Sequence, residues 1–140
     1  MNEQELAYLA GIIDGEGSIC IHKDSRDGRI WGEVTVYNTS QELISWIHER
    51  FGGNIYDCES RAEQYGTKRN LIIRWSGRDA AEFLPSLIPY LVIKKEKAKL
   101  LYDLTQVSKF SSNGQNRKEQ ETIYEMFKEL GVVYALVGGS

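Results

Sequence analysis

A chain of 140 residues is long enough for one packed core and too short for two full domains. Hydrophobic and charged fractions of 41% and 26% are those of an ordinary globular protein, and no apolar run is long enough to span a bilayer. The first residues lack a basic-then-apolar signal pattern, so an intracellular protein (cytoplasm, nucleoid or organelle) is expected. Cys20 and Cys58 are the only cysteines. Two thiols without CxxC or Cys/His spacing exclude a disulfide scaffold and a zinc site, and both read as free thiols. A net charge of −3 and a pI near 5.5 count against a partner rich in phosphates, since proteins that neutralise phosphates are usually basic. The charge is uneven along the chain. Glu3, Glu5, Glu119, Glu121, Glu125 and Glu129 crowd the ends, while Lys23, Arg26, Arg29, Arg61, Lys68, Arg69, Arg74 and Arg78 occupy the middle.

The chain begins with a helical pattern. Leu6, Leu9, Ala10 and Ile13 fall at i, i+3, i+4 and i+7, the apolar stripe of an amphipathic helix. Ala7, Gly11 and Gly15 fall at i, i+4 and i+8 and make a second, nearly bare face along which another backbone could come close. Gly15 and Gly17 break the helix and leave Glu16 at its C-terminal tip. A carboxylate there opposes the negative end of the helix dipole, and a bound cation shared with free carbonyls would reverse the penalty.

From Ser18 to Asp24 the pattern turns to alternation, with Ile19 and Ile21 inward. Arg26-Asp27-Gly28-Arg29 supplies a hairpin turn, and a second strand over Ile30 to Tyr37 puts Ile30, Val34 and Val36 inward. Asn38-Thr39-Ser40 caps a helix over Gln41 to Phe51, which Gly52-Gly53 ends. A third strand runs from Asn54 to Cys58 with Ile55 inward; Glu59 to Gly66 is a polar loop. Lys68 to Ser76 is the fourth strand, with Leu71, Ile73 and Trp75 inward. Arg78 to Ile88 is helical but shortened or kinked by Pro85, and Pro89 forces a break. Leu91 to Val107 is a helix, Phe110 to Arg117 a polar linker, and Arg117 to Leu130 a closing helix. Val132 to Val137 is a tail strand or packed arm. Residues 1–108 form the core of the domain and 109–140 its linker, last helix and tail.

This order is an α+β plan of αββαββα type: a four-stranded antiparallel sheet with helices packed on one face. The open face carries Cys20, His22, Asp24, Arg26, Arg29, Trp31, Glu33, Thr35, Tyr37, Asn54, Tyr56, Arg61, Lys68, Asn70, Ile72 and Arg74. Trp31, Tyr37 and Tyr56 stand where water would otherwise be, among Arg and Lys side chains, which distinguishes a binding face from a solvated one. Strands fit the major groove, and eight residues at about 3.3 Å each cover roughly 8 base pairs.

The stretch Leu9-Ala10-Gly11-Ile12-Ile13-Asp14-Gly15-Glu16-Gly17 resembles the LAGLIDADG motif at every position, with Ile, Gly and Glu as its three substitutions. That motif names a family of homing endonucleases and related maturases, and the resemblance runs from about Leu6 to Leu104. Pro89-Tyr90-Leu91-Val92-Ile93-Lys94 is similar to the segment that leads to the family's basic active-site residue. The resemblance implies that Glu16, with the Gly15 carbonyl, holds Mg2+ or another divalent cation such as Mn2+. It gives Lys94, or Lys97 one turn on, the task of polarising the phosphate or its attacking water. Asn38 either organises active-site water or belongs to the helix cap. Asp14 accepts hydrogen bonds near the helix end. A single motif implies a homodimer through Ala7, Gly11 and Gly15 that cuts both strands of a long pseudo-palindromic duplex. The other readings are an RNA maturase and a non-catalytic DNA-binding regulator on the same fold.

Overall fold

The computed structural model describes residues 2–57, 70–108 and 114–136. Asn2 opens the first helix by accepting the Glu5 N–H at 2.8 Å, and Glu3 and Glu5 lie in the first turn at the positive end of the dipole. Helix α1 (Glu3–Glu16) buries Leu6, Leu9, Ala10 and Ile13, the stripe its spacing predicts. It ends at Gly17, whose N–H returns to the Ile13 carbonyl. The chain enters the sheet at that residue, and a Cβ on Gly17 would stand 2.8 Å from the Ile13 Cα and 3.1 Å from the Thr35 carbonyl oxygen.

Strands β1 (Gly17–Lys23) and β2 (Ile30–Asn38) form the first hairpin. Its turn is closed by Asp24 N–H to the Arg29 carbonyl at 2.8 Å and by Gly28 at φ 76°. Helix α2 (Gln41–Phe51) is capped by Ser40, which accepts the Leu43 N–H at 3.1 Å. Strands β3 (Asn54–Asp57) and β4 (Leu71–Ser76) complete an antiparallel sheet in the order β1-β2-β4-β3. The inner strands are β2 and β4. Helices cover one face, where Ile44 and Ile47 of α2 meet Val34, Val36, Ile73 and Trp75 in one core. The buried Trp75 indole is satisfied by the Phe51 carbonyl at 3.0 Å. Gly53, at φ 93°, is needed here because a Cβ would press on that indole.

Several sequence expectations shift. Ile55 pairs with the buried Ile73, yet remains 42% exposed on β3, an edge strand with no neighbour on its outer side among the described residues. Strand β4 starts at Leu71, which leaves Asn70 exposed just outside it. Cys58, Arg61, Lys68 and the loop from Glu59 to Gly66 lie outside the described residues. The segment after β4 divides into α3 (Gly77–Ala80), α4 (Leu84–Leu87) and a 3-10 turn (Ile88–Tyr90), with Pro85 and Pro89 each in a first turn, where a missing N–H costs nothing. Helix α5 (Lys95–Ser108) begins four residues later than its hydrophobic pattern predicts. Helix α6 (Gly114–Leu136) begins inside the expected linker and takes in Val132 to Leu136 of the segment expected as a tail strand or packed arm, while Val137 lies outside the described residues. No helix among the described residues is long and apolar enough to cross a membrane.

The packing of α1 into β1 at Gly17 yields a direct check. Backbone surrounds the absent Cβ, so Gly17→Ala forces a main-chain shift rather than a rotamer change. It is expected to lower the unfolding free energy by about 2 kcal/mol in urea denaturation, in the range of overpacked core sites.

Candidate functional site

The end of α1 is held by a clasp from the other end of the domain. The Asp14 carboxylate accepts two backbone N–H groups, from Val92 at 2.8 Å and Lys94 at 3.0 Å. In return the Lys94 ammonium donates to the carbonyls of Ile13 at 2.9 Å and Asp14 at 2.8 Å. The Ile13 carbonyl, which also accepts the Gly17 N–H, and the Asp14 carbonyl both lie in the last turn, where a cation complements the dipole. Burial pushes the Lys94 pKa down; Asp14 opposes the shift and Lys97 adds to it. The clasp explains why α5 starts late: with the N–H groups of Val92 and Lys94 committed to Asp14, residues 91–94 are drawn across the tip of α1. Asp14 thus has the structural task expected of it. Two of the three Lys94 donors serve the helix end.

Glu16 is the last residue of α1 and is exposed. Its Oε2 accepts the Asn38 side-chain amide at 2.6 Å, and the Asn38 Oδ1 accepts the Ser40 N–H at 2.7 Å. Asn38 thus belongs to the start of α2 through Ser40, the helix-cap alternative, and the same side chain also holds the Glu16 carboxylate. Ala7, Gly11 and Gly15 are all exposed along one side of α1, and Cβ atoms on Gly11 and Gly15 would meet nothing within 4 Å. Among the described residues, no three His, Cys, Asp or Glu side chains gather into a metal-binding group.

On the open sheet face, Trp31, Tyr37 and Tyr56 are exposed by 37%, 44% and 46%. Thr35 is not available to a ligand. It is 4% exposed, because it stands in the middle of β2 between Ser18 and Arg74 on the neighbouring strands. Asp24 is engaged in the turn, accepting the Arg26 N–H at 2.8 Å with the Arg26 guanidinium alongside, and these contacts hold its carboxyl below the usual range. Cys20 is a free thiol, half-buried, with its pKa raised first by burial and then by Glu33. His22 bonds Glu33 at 3.1 Å, and Glu33 pairs with Arg74 at 3.4 Å. Arg29 lies over the Trp31 ring at 4.7 Å. Asn54 and Ile72 flank Arg74 and Tyr56 on β3 and β4.

Sequence reading missed one feature. The acidic last helix is not segregated from the basic sheet: Glu121 of α6 holds Lys23 at 2.8 Å, and Arg117 donates to the Asp27 carbonyl at 2.9 Å in the hairpin turn. No local sequence signal announces this contact between residues 98 positions apart.

No family model matches the chain, and no curated protein does. Solved structures do match. The homing endonuclease I-CvuI, in complex with an I-CreI target in the presence of Mg and with the DNA not cleaved, superposes with a TM-score of 0.76. It shares 20% identity over 91% of this chain and 82% of its own. The chain has the LAGLIDADG homing endonuclease fold. The archaeal intron-encoded homing endonuclease I-Vdi141I, complexed with DNA, gives a TM-score of 0.71 at 17% identity over 91% of this chain and 84% of its own. The LAGLIDADG homing endonuclease I-GzeII, in complex with a DNA target, gives 0.67 at 22% identity over 89% of this chain. Only 44% of I-GzeII is covered, so this chain spans less than half of that relative.

The clasp can be tested apart from any activity. Lys94→Met keeps the aliphatic stem and removes both bonds to the helix end. Chemical denaturation is expected to show a loss of about 2 kcal/mol, the range for hydrogen bonds to a charged group.

Proposed function

We propose that this chain is a site-specific DNA endonuclease that acts as a homodimer and makes a metal-dependent double-strand cut in a long pseudo-palindromic site. The observation that carries the reading is Glu16: an exposed carboxylate at the negative end of a helix, steadied by Asn38, beside a bare glycine face. The dipole disfavours a carboxylate there. Its use is in what it could bind.

A divalent cation, Mg2+ or Mn2+, held by Glu16 and the Gly15 carbonyl would activate water and offset charge on the phosphate under attack. Two carboxylates serve such a site better than one, and a second copy packed along Ala7, Gly11 and Gly15 would bring its own Glu16 to the dyad. Each subunit then contributes one acid, and the pair serves the two strands. Asn38 keeps the Glu16 side chain from swinging back over its own helix. Lys94 neutralises the helix end and retains a third N–H for a phosphate oxygen or a water molecule. The open face reads a half-site with Cys20, His22, Arg26, Arg29, Trp31, Glu33, Tyr37, Asn54, Tyr56, Asn70, Ile72 and Arg74, together with Arg61 and Lys68.

Incubating a randomised duplex library with the protein in Mg2+, and sequencing the cut ends, tests the reading. One cleaved sequence with two related halves is expected, with cutting lost on chelation. Glu16→Gln should abolish cutting while binding to the selected duplex persists within about threefold. If the wild type cuts nothing in Mg2+ or Mn2+ yet enriches a sequence by binding, the endonuclease reading fails. The dimer has its own check: Gly11→Leu projects into open space in a single chain. Its fold should survive by circular dichroism, while sedimentation shows monomers and cleavage falls at least 100-fold.

A further inference from the structure

We infer that Arg74 reads a guanine near the centre of each half-site, and that Glu33 is the positioning residue that aims it. This inference rests on the reading of the sheet as a DNA-binding face. It goes beyond that reading by naming one base and the residues that specify it.

The observation is a string of contacts running diagonally across the sheet. His22 on β1 bonds Glu33 on β2 at 3.1 Å. Glu33 pairs with Arg74 on β4 at 3.4 Å, and the Arg74 guanidinium lies over the Tyr56 ring on β3, 5.2 Å from its centroid. Register accounts for this order. Glu33 lies opposite Cys20 and Ser76, whereas Arg74 lies opposite Thr35 and Asn54, so each contact joins diagonal neighbours that only long side chains can bridge.

Arg74 is thereby fixed on two sides. Tyr56 holds the flat face of the guanidinium, and the Glu33 carboxylate stands beside Nε. Nε is buried and has no hydrogen-bonded partner among the described residues, while the side chain as a whole is 40% exposed. The exposure therefore belongs to other atoms of the side chain, and Nη1 and Nη2 make no side-chain hydrogen bond among the described residues. An arginine held in this way presents a rigid two-donor fork.

Two ligand edges match that fork: a phosphate, or the O6 and N7 of guanine in the major groove. The position of Arg74 separates them. It lies on β4, an inner strand with a neighbour on each side, so it faces the floor of a groove that the sheet enters. Phosphates line the groove walls and meet edge strands and turns. The pairing with Glu33 points the same way. A carboxylate beside the fork weakens attraction to a phosphate far more than it weakens a pair of neutral acceptors.

The test compares binding selections from a randomised duplex library for wild type, Arg74→Ala, Arg74→Lys and Glu33→Gln, all in Ca2+ to suppress cutting. Thermal melts of each variant confirm folding first. Wild type should enrich guanine at one symmetric position, by about tenfold or more over other bases, the range for a bidentate pair. Arg74→Ala and Arg74→Lys should flatten that position alone. Glu33→Gln should reduce the guanine preference at the same position and leave every other position as it was. A uniform loss across all sequences in Arg74→Ala, with a salt slope shallower by about one, would mean a phosphate contact and overturn the inference. An unchanged base profile in Arg74→Ala would overturn it as well, with the DNA-binding reading intact. If wild type enriches no sequence, the reading of the sheet fails and the inference falls with it.

Discussion

A helix end that carries a carboxylate has an electrostatic problem, and the clasp between Asp14 and Lys94 is how this chain manages it. The last carbonyls of α1 give the end that carries Glu16 a partial negative charge. Lys94 places a positive charge on two of those carbonyls, and Asp14 holds the Lys94 backbone in place through two N–H groups. The exchange joins residues 80 positions apart. Because of it, the first helix, the sheet that starts at Gly17 and the later helices share one anchor point.

The acidic total of the chain takes on a local meaning in the folded state. Lys23 is paired by Glu121, Arg26 by Asp24 and Arg74 by Glu33. Three basic groups of the sheet face are therefore partly neutralised before any ligand arrives. Under the proposed function this lowers non-specific attraction to phosphate and leaves a larger share of recognition to shaped contacts. Affinity should then depend less steeply on salt than the count of Lys and Arg suggests.

Much of the fold was legible because its signals are local. The stripe of Leu6, Leu9, Ala10 and Ile13, the Asp-Gly turn and the Ser40 cap each follow from nearby residues, and each is found where its pattern places it. The boundaries that moved answer to distant partners. Leu91 to Lys94 have helical spacing, but Asp14 takes the N–H groups of Val92 and Lys94. Thr35 alternates outward like its neighbours, and only its central place in the sheet buries it. At the candidate site, the exposed position of Glu16 at the tip of α1 follows from the nearby glycines. The partners of Glu33 could not be read, because diagonal contacts depend on register and strand order, and a linear sequence displays neither.

The central claim is that α1 brings two Glu16 carboxylates together around a cation. Its most direct measurement is an anomalous difference map at the manganese edge, from crystals of the protein with its selected duplex and Mn2+. The account predicts a peak at the dyad, within coordination distance of Glu16 and of the partner subunit's Glu16, with the two α1 helices crossing at Gly11. A complex with one chain per duplex, or manganese bound away from both carboxylates, would contradict it.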